Sequence, residues 1–210
     1  MHPVTKPPCL RERKRQATLR RIYDEALALV ERHGADAVTV EDICAAADIS
    51  RRTFFNYVSS KDDAILGAFP FELDAEALAA IEATQSDNLI ELIVSQMKER
   101  SELVSRGLLE RRRLVISDNP SLAHASHKRR VTVLTALARA VDKHFARFPD
   151  DRRLPDLPVE VEVHIVVDVC RSALSLYLSN PHFPADTGSA VDGVRRAARI
   201  HTAYYKELTW

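Results

Sequence analysis

Three helix starts are written into the single stretch TVEDICAAADISRRTFFNYVSSKDD, residues 39–63. Thr39 and Asp42 have the spacing of a capping box, in which a hydroxyl and a carboxylate satisfy free backbone N–H groups as a helix begins. Ser50 can cap a second helix running to Tyr57. Ser59 and Ser60, followed by Lys61, Asp62 and Asp63, mark a third start, with carboxylates in the first turn where the helix dipole favours them. The spacing predicts short helices over 40–47 and 51–57, joined by a turn at Asp48 and Ile49. That is a helix-turn-helix.

The second short helix has an uneven composition. Arg51, Arg52, Thr53, Asn56 and Tyr57 supply charge, hydroxyl and amide groups, while Phe54, Phe55 and Val58 supply the apolar bulk to hold it in place. DNA asks for these types: phosphates take cations and hydroxyl or backbone donors, and base edges take Arg, Asn or Thr on a helix narrow enough for the major groove. Any short amphipathic helix pair with a charged face would share part of this composition.

The match extends further. Gly34 closing a long first helix, Thr39 to Cys44, Ser50 to Tyr57 and Ser60 to Asp62 together resemble the N-terminal domain of the TetR family of transcriptional regulators, over about Arg11 to Leu66. The resemblance implies an all-α fold of about nine helices. Residues 1–10 would be a flexible arm, 11–66 a three-helix helix-turn-helix DNA-binding domain, and 67–210 a helical domain for effector binding and dimerisation. It also implies a repressor that a small molecule releases from a near-palindromic operator. Thr39, Ser50, Arg51, Arg52, Thr53, Asn56, Tyr57 and Lys61 are the expected DNA contacts: Arg51, Arg52 and Asn56 at base edges, Thr53 against a thymine methyl, and Thr39, Ser50, Tyr57 and Lys61 at phosphate. Phe54 and Phe55 are expected to pack. The sequence departs from the family pattern at Asp48, where glycine is usual, at Arg52, where glycine or alanine is common, and at Phe55, which lacks the usual tyrosine hydroxyl.

With 210 residues and 46% hydrophobic content the chain can bury a sizeable core, and its 5 glycines and lack of alternating patterns point to helices. A formal net charge of zero excludes a uniformly basic nucleic-acid binder, but the first 21 residues carry seven Lys or Arg against Glu12 alone. Arg13 and Lys14, at the start of the first helix, are candidates for phosphate. Cys9, Cys44 and Cys170 are far apart without a CxxC spacing, which speaks against a disulfide framework or zinc site and fits a reducing cytoplasm. No apolar run reaches the length of a membrane span, and the N-terminus lacks a signal core. The resemblance implies operator DNA, a second copy and an effector as partners, and no membrane is expected.

The first helix, with Ile22, Ala26, Leu29 and Val30 on one face, ends at His33-Gly34. The fourth is expected to continue through Phe69, be bent or interrupted by Pro70, and resume from Leu73 to Ile81. Helical spacing recurs from Leu89 to Val104, from Gly107 to Ile116 and from Ser121 to Phe148. Pro149 to Pro158 reads as a loop. The last two helices, 159–179 and 187–208, carry small residues and more than one apolar face; in the resembled family such helices form the dimer interface.

The resemblance also implies an effector cavity. Candidate lining residues are Met97, Leu103, Leu108, Arg111, His127, Leu137, His164, Asp168, Arg171 and Tyr177, with ordinary core or surface positions as the alternative for each. His124 with His127, and His164 with Asp168, have spacings that place each pair on one helix face, as a metal sensor would need. The chain is not expected to be an enzyme, because Gly-rich phosphate loops, nucleophile elbows and paired metal motifs are missing from the sequence, and no cofactor is expected. A ligand-independent DNA-binding dimer, a metal sensor and a helical enzyme remain as alternatives.

Overall fold

The structure is a computed structural model that describes residues 10–100, 106–180, 182–183 and 189–208. Residues 1–9 of the arm expected over 1–10, the candidate Leu103 and a helix start at Thr187 lie outside them, whereas Leu10 is helical. Among the described residues there are ten α-helices: α1 (Leu10–His33), α2 (Val40–Ala46), α3 (Arg51–Tyr57), α4 (Lys61–Leu66), α5 (Ala75–Ala83), α6 (Leu89–Ser95), α7 (Arg106–Asp118), α8 (Pro120–Arg147), α9 (Val159–Ser179) and α10 (Ala190–Lys206). A 3-10 turn spans Pro149–Asp151, and two short antiparallel strands, β1 (Phe71–Glu72) and β2 (Lys98–Glu99), pair Phe71 with Glu99 and Glu72 with Lys98. The described residues fall into two compact units, one within Met1–Phe69 and Glu102–Ser126, the other within Pro70–Ser101 and His127–Trp210.

The first unit is built around α1. Ile22, Tyr23, Ala26, Leu27 and Val30 recur every three or four residues and are buried. Gly34 then takes φ 81°, and its N–H reaches the Val30 carbonyl at 2.8 Å, closing the helix. The same core contains Ile43 and Cys44 of α2, Phe54 of α3, Ala64 and Ile65 of α4, and also Leu108, Val115 and Leu122 from α7 and the start of α8. The unit therefore takes in more chain than residues 11–66.

The fourth helix does not run through Phe69 as its apolar spacing suggested. It stops at Leu66 because Gly67 turns the backbone to φ 63°, its N–H bonding the Asp63 carbonyl at 2.9 Å. A Cβ at Gly67 would collide with the guanidinium of Arg112, which is buried and lies 5.6 Å from the Tyr23 ring centroid. Only glycine supplies both the left-handed φ and the space. In the second unit Pro70 offers its carbonyl to the Arg100 N–H at 2.9 Å, next to the strand pair. Helix resumes as α5, capped by the Asp74 carboxylate on the Ala77 N–H at 2.9 Å.

In the second unit α6, α9 and α10 pack on one another. Arg195 of α10 donates to Glu91 of α6 at 2.6 Å, and the Ala190 N–H at the start of α10 donates to Glu99 at 3.1 Å. Tyr177 of α9 lies against Gly193 of α10, with Phe71 and Phe183 at ring distances of 6.1 and 5.7 Å. His144 of α8 is fully buried, its Nδ1 at 2.9 Å from the Ile81 carbonyl and its Nε2 at 3.1 Å from the Asp151 carboxylate. Asp151 in turn accepts the Ser86 N–H at 2.8 Å.

Candidate nucleic-acid interface

The short helices form where their caps direct them. The Thr39 hydroxyl accepts the Asp42 N–H at 3.2 Å and donates to Asp42 Oδ2 at 2.6 Å, while the Thr39 N–H bonds the same oxygen at 2.9 Å. These bonds hold the Asp42 carboxyl below the ordinary carboxylate range. The turn between α2 and α3 runs through Asp48 at φ 51°, the left-handed conformation glycine adopts freely and aspartate tolerates. Ser50 then caps α3 by accepting the Thr53 N–H at 3.0 Å, and its hydroxyl lies 2.8 Å from that of Thr53.

One residue anchors α3. Phe54 has no exposed surface and Val58 is buried beside the turn, so the opposite face of the helix points outward. Arg52 and Asn56 are exposed on that face; Arg51, also exposed, lies on a flank beside Phe55, and Thr53 and Tyr57 are half-buried, with Tyr57 packed against the core. Phe55 does not share the burial of its neighbour: its ring is 47% exposed and meets Phe54 edge-on at 5.2 Å. Rotation by about 100° per residue separates the two rings.

Residues 22–66 match the family model described as "Bacterial regulatory proteins, tetR family". Over these residues the chain carries the DNA-binding domain of that family. It is 43% identical over 61 residues to the "Putative mycofactocin biosynthesis transcriptional regulator MftR" of Mycobacterium tuberculosis, covering 29% of this chain and 31% of that protein. It is 37% identical over 75 residues to the "HTH-type transcriptional regulator TcmR" of Streptomyces glaucescens, covering 36% of this chain and 33% of that one. The chain thus spans about a third of the length of each curated relative it matches.

Two side chains of this TetR-type domain have work inside it. Lys61 donates through Nζ to the Ala35 carbonyl at 2.8 Å and the Val38 carbonyl at 2.9 Å, tying α4 to the loop between α1 and α2. That leaves one ammonium N–H for an outside partner. Thr39 spends its hydroxyl and N–H on Asp42. Glu41 did not stand out in the sequence, yet it receives Arg51 Nη1 at 2.6 Å. Only the turn brings these two residues together, so neither periodicity nor cap spacing could signal the pair.

The effector candidates are scattered in kind. Leu108 sits in the core of the TetR-type unit, and Arg111 forms a two-armed bond with Glu31 there, Nε to Oε1 at 2.8 Å and Nη2 to Oε2 at 2.5 Å. In the second unit Met97 and Leu137 are buried, Tyr177 packs on Gly193, and His127 is exposed. His164 Nε2 lies 3.3 Å from Asp168 Oδ2, and Arg171 donates to the other Asp168 oxygen at 3.0 Å, forming an exposed polar string along α9. Among the described residues no three His, Cys, Asp or Glu gather as a metal site, and no helix is long and apolar enough to cross a membrane. Cys170 is 1% exposed, and burial pushes its thiol up to about 12.

Proposed function

We propose that the chain is a DNA-binding transcriptional regulator that acts as a homodimeric repressor and is released from its operator by a small molecule. The observation that carries the reading is α3 itself: a helix anchored by fully buried Phe54 that turns Arg51, Arg52 and Asn56 outward, in a domain matched to the TetR family. Arg51, Arg52 and Asn56 meet base edges, and Thr53 meets a thymine methyl. Ser50, Tyr57 and the remaining N–H of Lys61 hold phosphate, with Arg13 and Lys14 of α1 adding sequence-independent attraction. Thr39 supports the interface by holding α2.

The dimer reading is supported by apolar side chains left in solvent on α9 and around the end of α10. Val161 and Ile165 are 42% and 43% exposed, and Ile200, Tyr204 and Tyr205 are 43%, 65% and 55% exposed. Covering them with the same helices of a second copy makes a two-fold pair, and two reading heads roughly 34 Å apart match a near-palindrome. An effector that binds better to a form with wrongly spaced heads lowers operator affinity by shifting the population.

The test is binding of the purified protein to the promoter DNA beside its own gene, at two salt concentrations, against a scrambled duplex. Selective, salt-sensitive binding as a dimer is expected. Equal binding to both duplexes, unchanged by Arg13→Ala and Arg52→Ala, would remove the reading.

A further inference from the structure

Glu41 stands in the first turn of α2 and Arg51 at the first position of α3. Arg51 Nη1 donates to Glu41 Oε1 at 2.6 Å, while the Arg51 Cζ lies 5.7 Å from the Phe55 ring centroid. A carboxylate and an aromatic ring thus bracket one guanidinium. Both charged side chains are well exposed, at 67% and 61%, and a pair that wet adds little to folding. Its use lies outside the domain's own stability.

A lone arginine on such a helix would serve a phosphate as well as a base. This one would not, because the Glu41–Arg51 pair is neutral and its carboxylate repels phosphate oxygen. Directional donors survive that neutralisation. A guanidinium has five N–H groups in a rigid fork, and the bond to Glu41 uses one, leaving an edge with two parallel N–H groups. Two parallel donors fit the O6 and N7 acceptors of guanine in the major groove. Exclusion of water on docking strengthens the Glu41 bond, and with it the hold on the guanidinium plane.

We infer that Glu41 is a positioning residue: with the Phe55 ring it holds Arg51 to read a guanine and keeps it from acting as a general phosphate clamp. The inference rests on the DNA-binding reading above.

The experiment selects duplexes from a random-sequence library with the full chain, then compares wild type, E41Q, R51A and the E41Q/R51A double variant on the enriched duplex, its guanine-to-adenine derivatives and a scrambled duplex. The wild type is expected to enrich a guanine in each half-site and to lose about tenfold or more in affinity when it becomes adenine. E41Q should lose most of that discrimination while binding the scrambled duplex more tightly, because a negative charge has gone. In the R51A background, adding E41Q should leave discrimination unchanged, since Glu41 acts through Arg51. Full guanine discrimination in E41Q, or the same drop with and without Arg51, overturns the inference. So does an even loss of E41Q binding on every duplex together with a lowered Tm, the mark of a purely structural residue. No enrichment of any duplex by the wild type would overturn the DNA-binding reading as well, which separates the two failures.

Discussion

The ring of Tyr177 lies so close to Gly193 that a β-carbon at residue 193 would overlap it. Tyr177 cannot swing away cheaply, because Phe71 and Phe183 stand on its other sides. Alanine in an open helix gains about 1 kcal/mol over glycine. Here overpacking, at roughly 1–3 kcal/mol, outweighs that gain. Gly193→Ala should therefore lower Tm in thermal unfolding, and combining it with Tyr177→Ala should cost less than the two single changes added together.

Lys61 separates a binding role from a structural one. Its ammonium bonds two half-buried carbonyls, so Lys61→Met should destabilise the protein by roughly 1–3 kcal/mol in urea unfolding, in addition to any loss of DNA affinity. Unchanged stability with weakened DNA binding would make it a phosphate contact alone.

Asp48 sits at φ 51° in the turn before α3. Glycine relieves the strain of that conformation and a β-branched residue increases it, each by about 1 kcal/mol. Asp48→Gly should hold or raise the urea midpoint, and Asp48→Val should lower it.

Asp42 links the α2 cap to pH. Hydrogen bonds from the Thr39 hydroxyl and backbone lower its folded pKa, so the unfolded chain binds the proton more readily. The stabilisation is then fully present above about pH 4 and fades as pH falls through the folded value. Unfolding curves of wild type and Asp42→Asn should be well separated at neutral pH and converge on acidification; a constant separation would show that protonation of Asp42 does not matter.

The first three helices could be read in the sequence because their causes are local. Thr39, Ser50 and Gly34 act within four residues of the groups they satisfy, and the structure places the caps and stops there. The end of α4 could not be read this way. Gly67 looked like an ordinary helical position, and what it makes room for is Arg112, from a later segment. The same limit hid the work of Lys61, whose partners are carbonyls of another loop, and the Glu41–Arg51 pair. Leu108 reads in the sequence as a candidate for the lining of an effector cavity, yet it packs instead in the core with Ile22 and Phe54; spacing cannot say which core a side chain joins. Phe54 and Phe55 are alike in composition, and only the direction each takes from α3 makes one an anchor and leaves the other in solvent.

Leu108, Val115 and Leu122 belong to the same core as Ile22 and Phe54, so the reading head is discontinuous in the chain. It is not a cassette that can be cut after Phe69 and fused elsewhere. During synthesis the first four helices must also wait for α7 before their apolar face is closed. In the interval that face is open to chaperones and to other nascent chains.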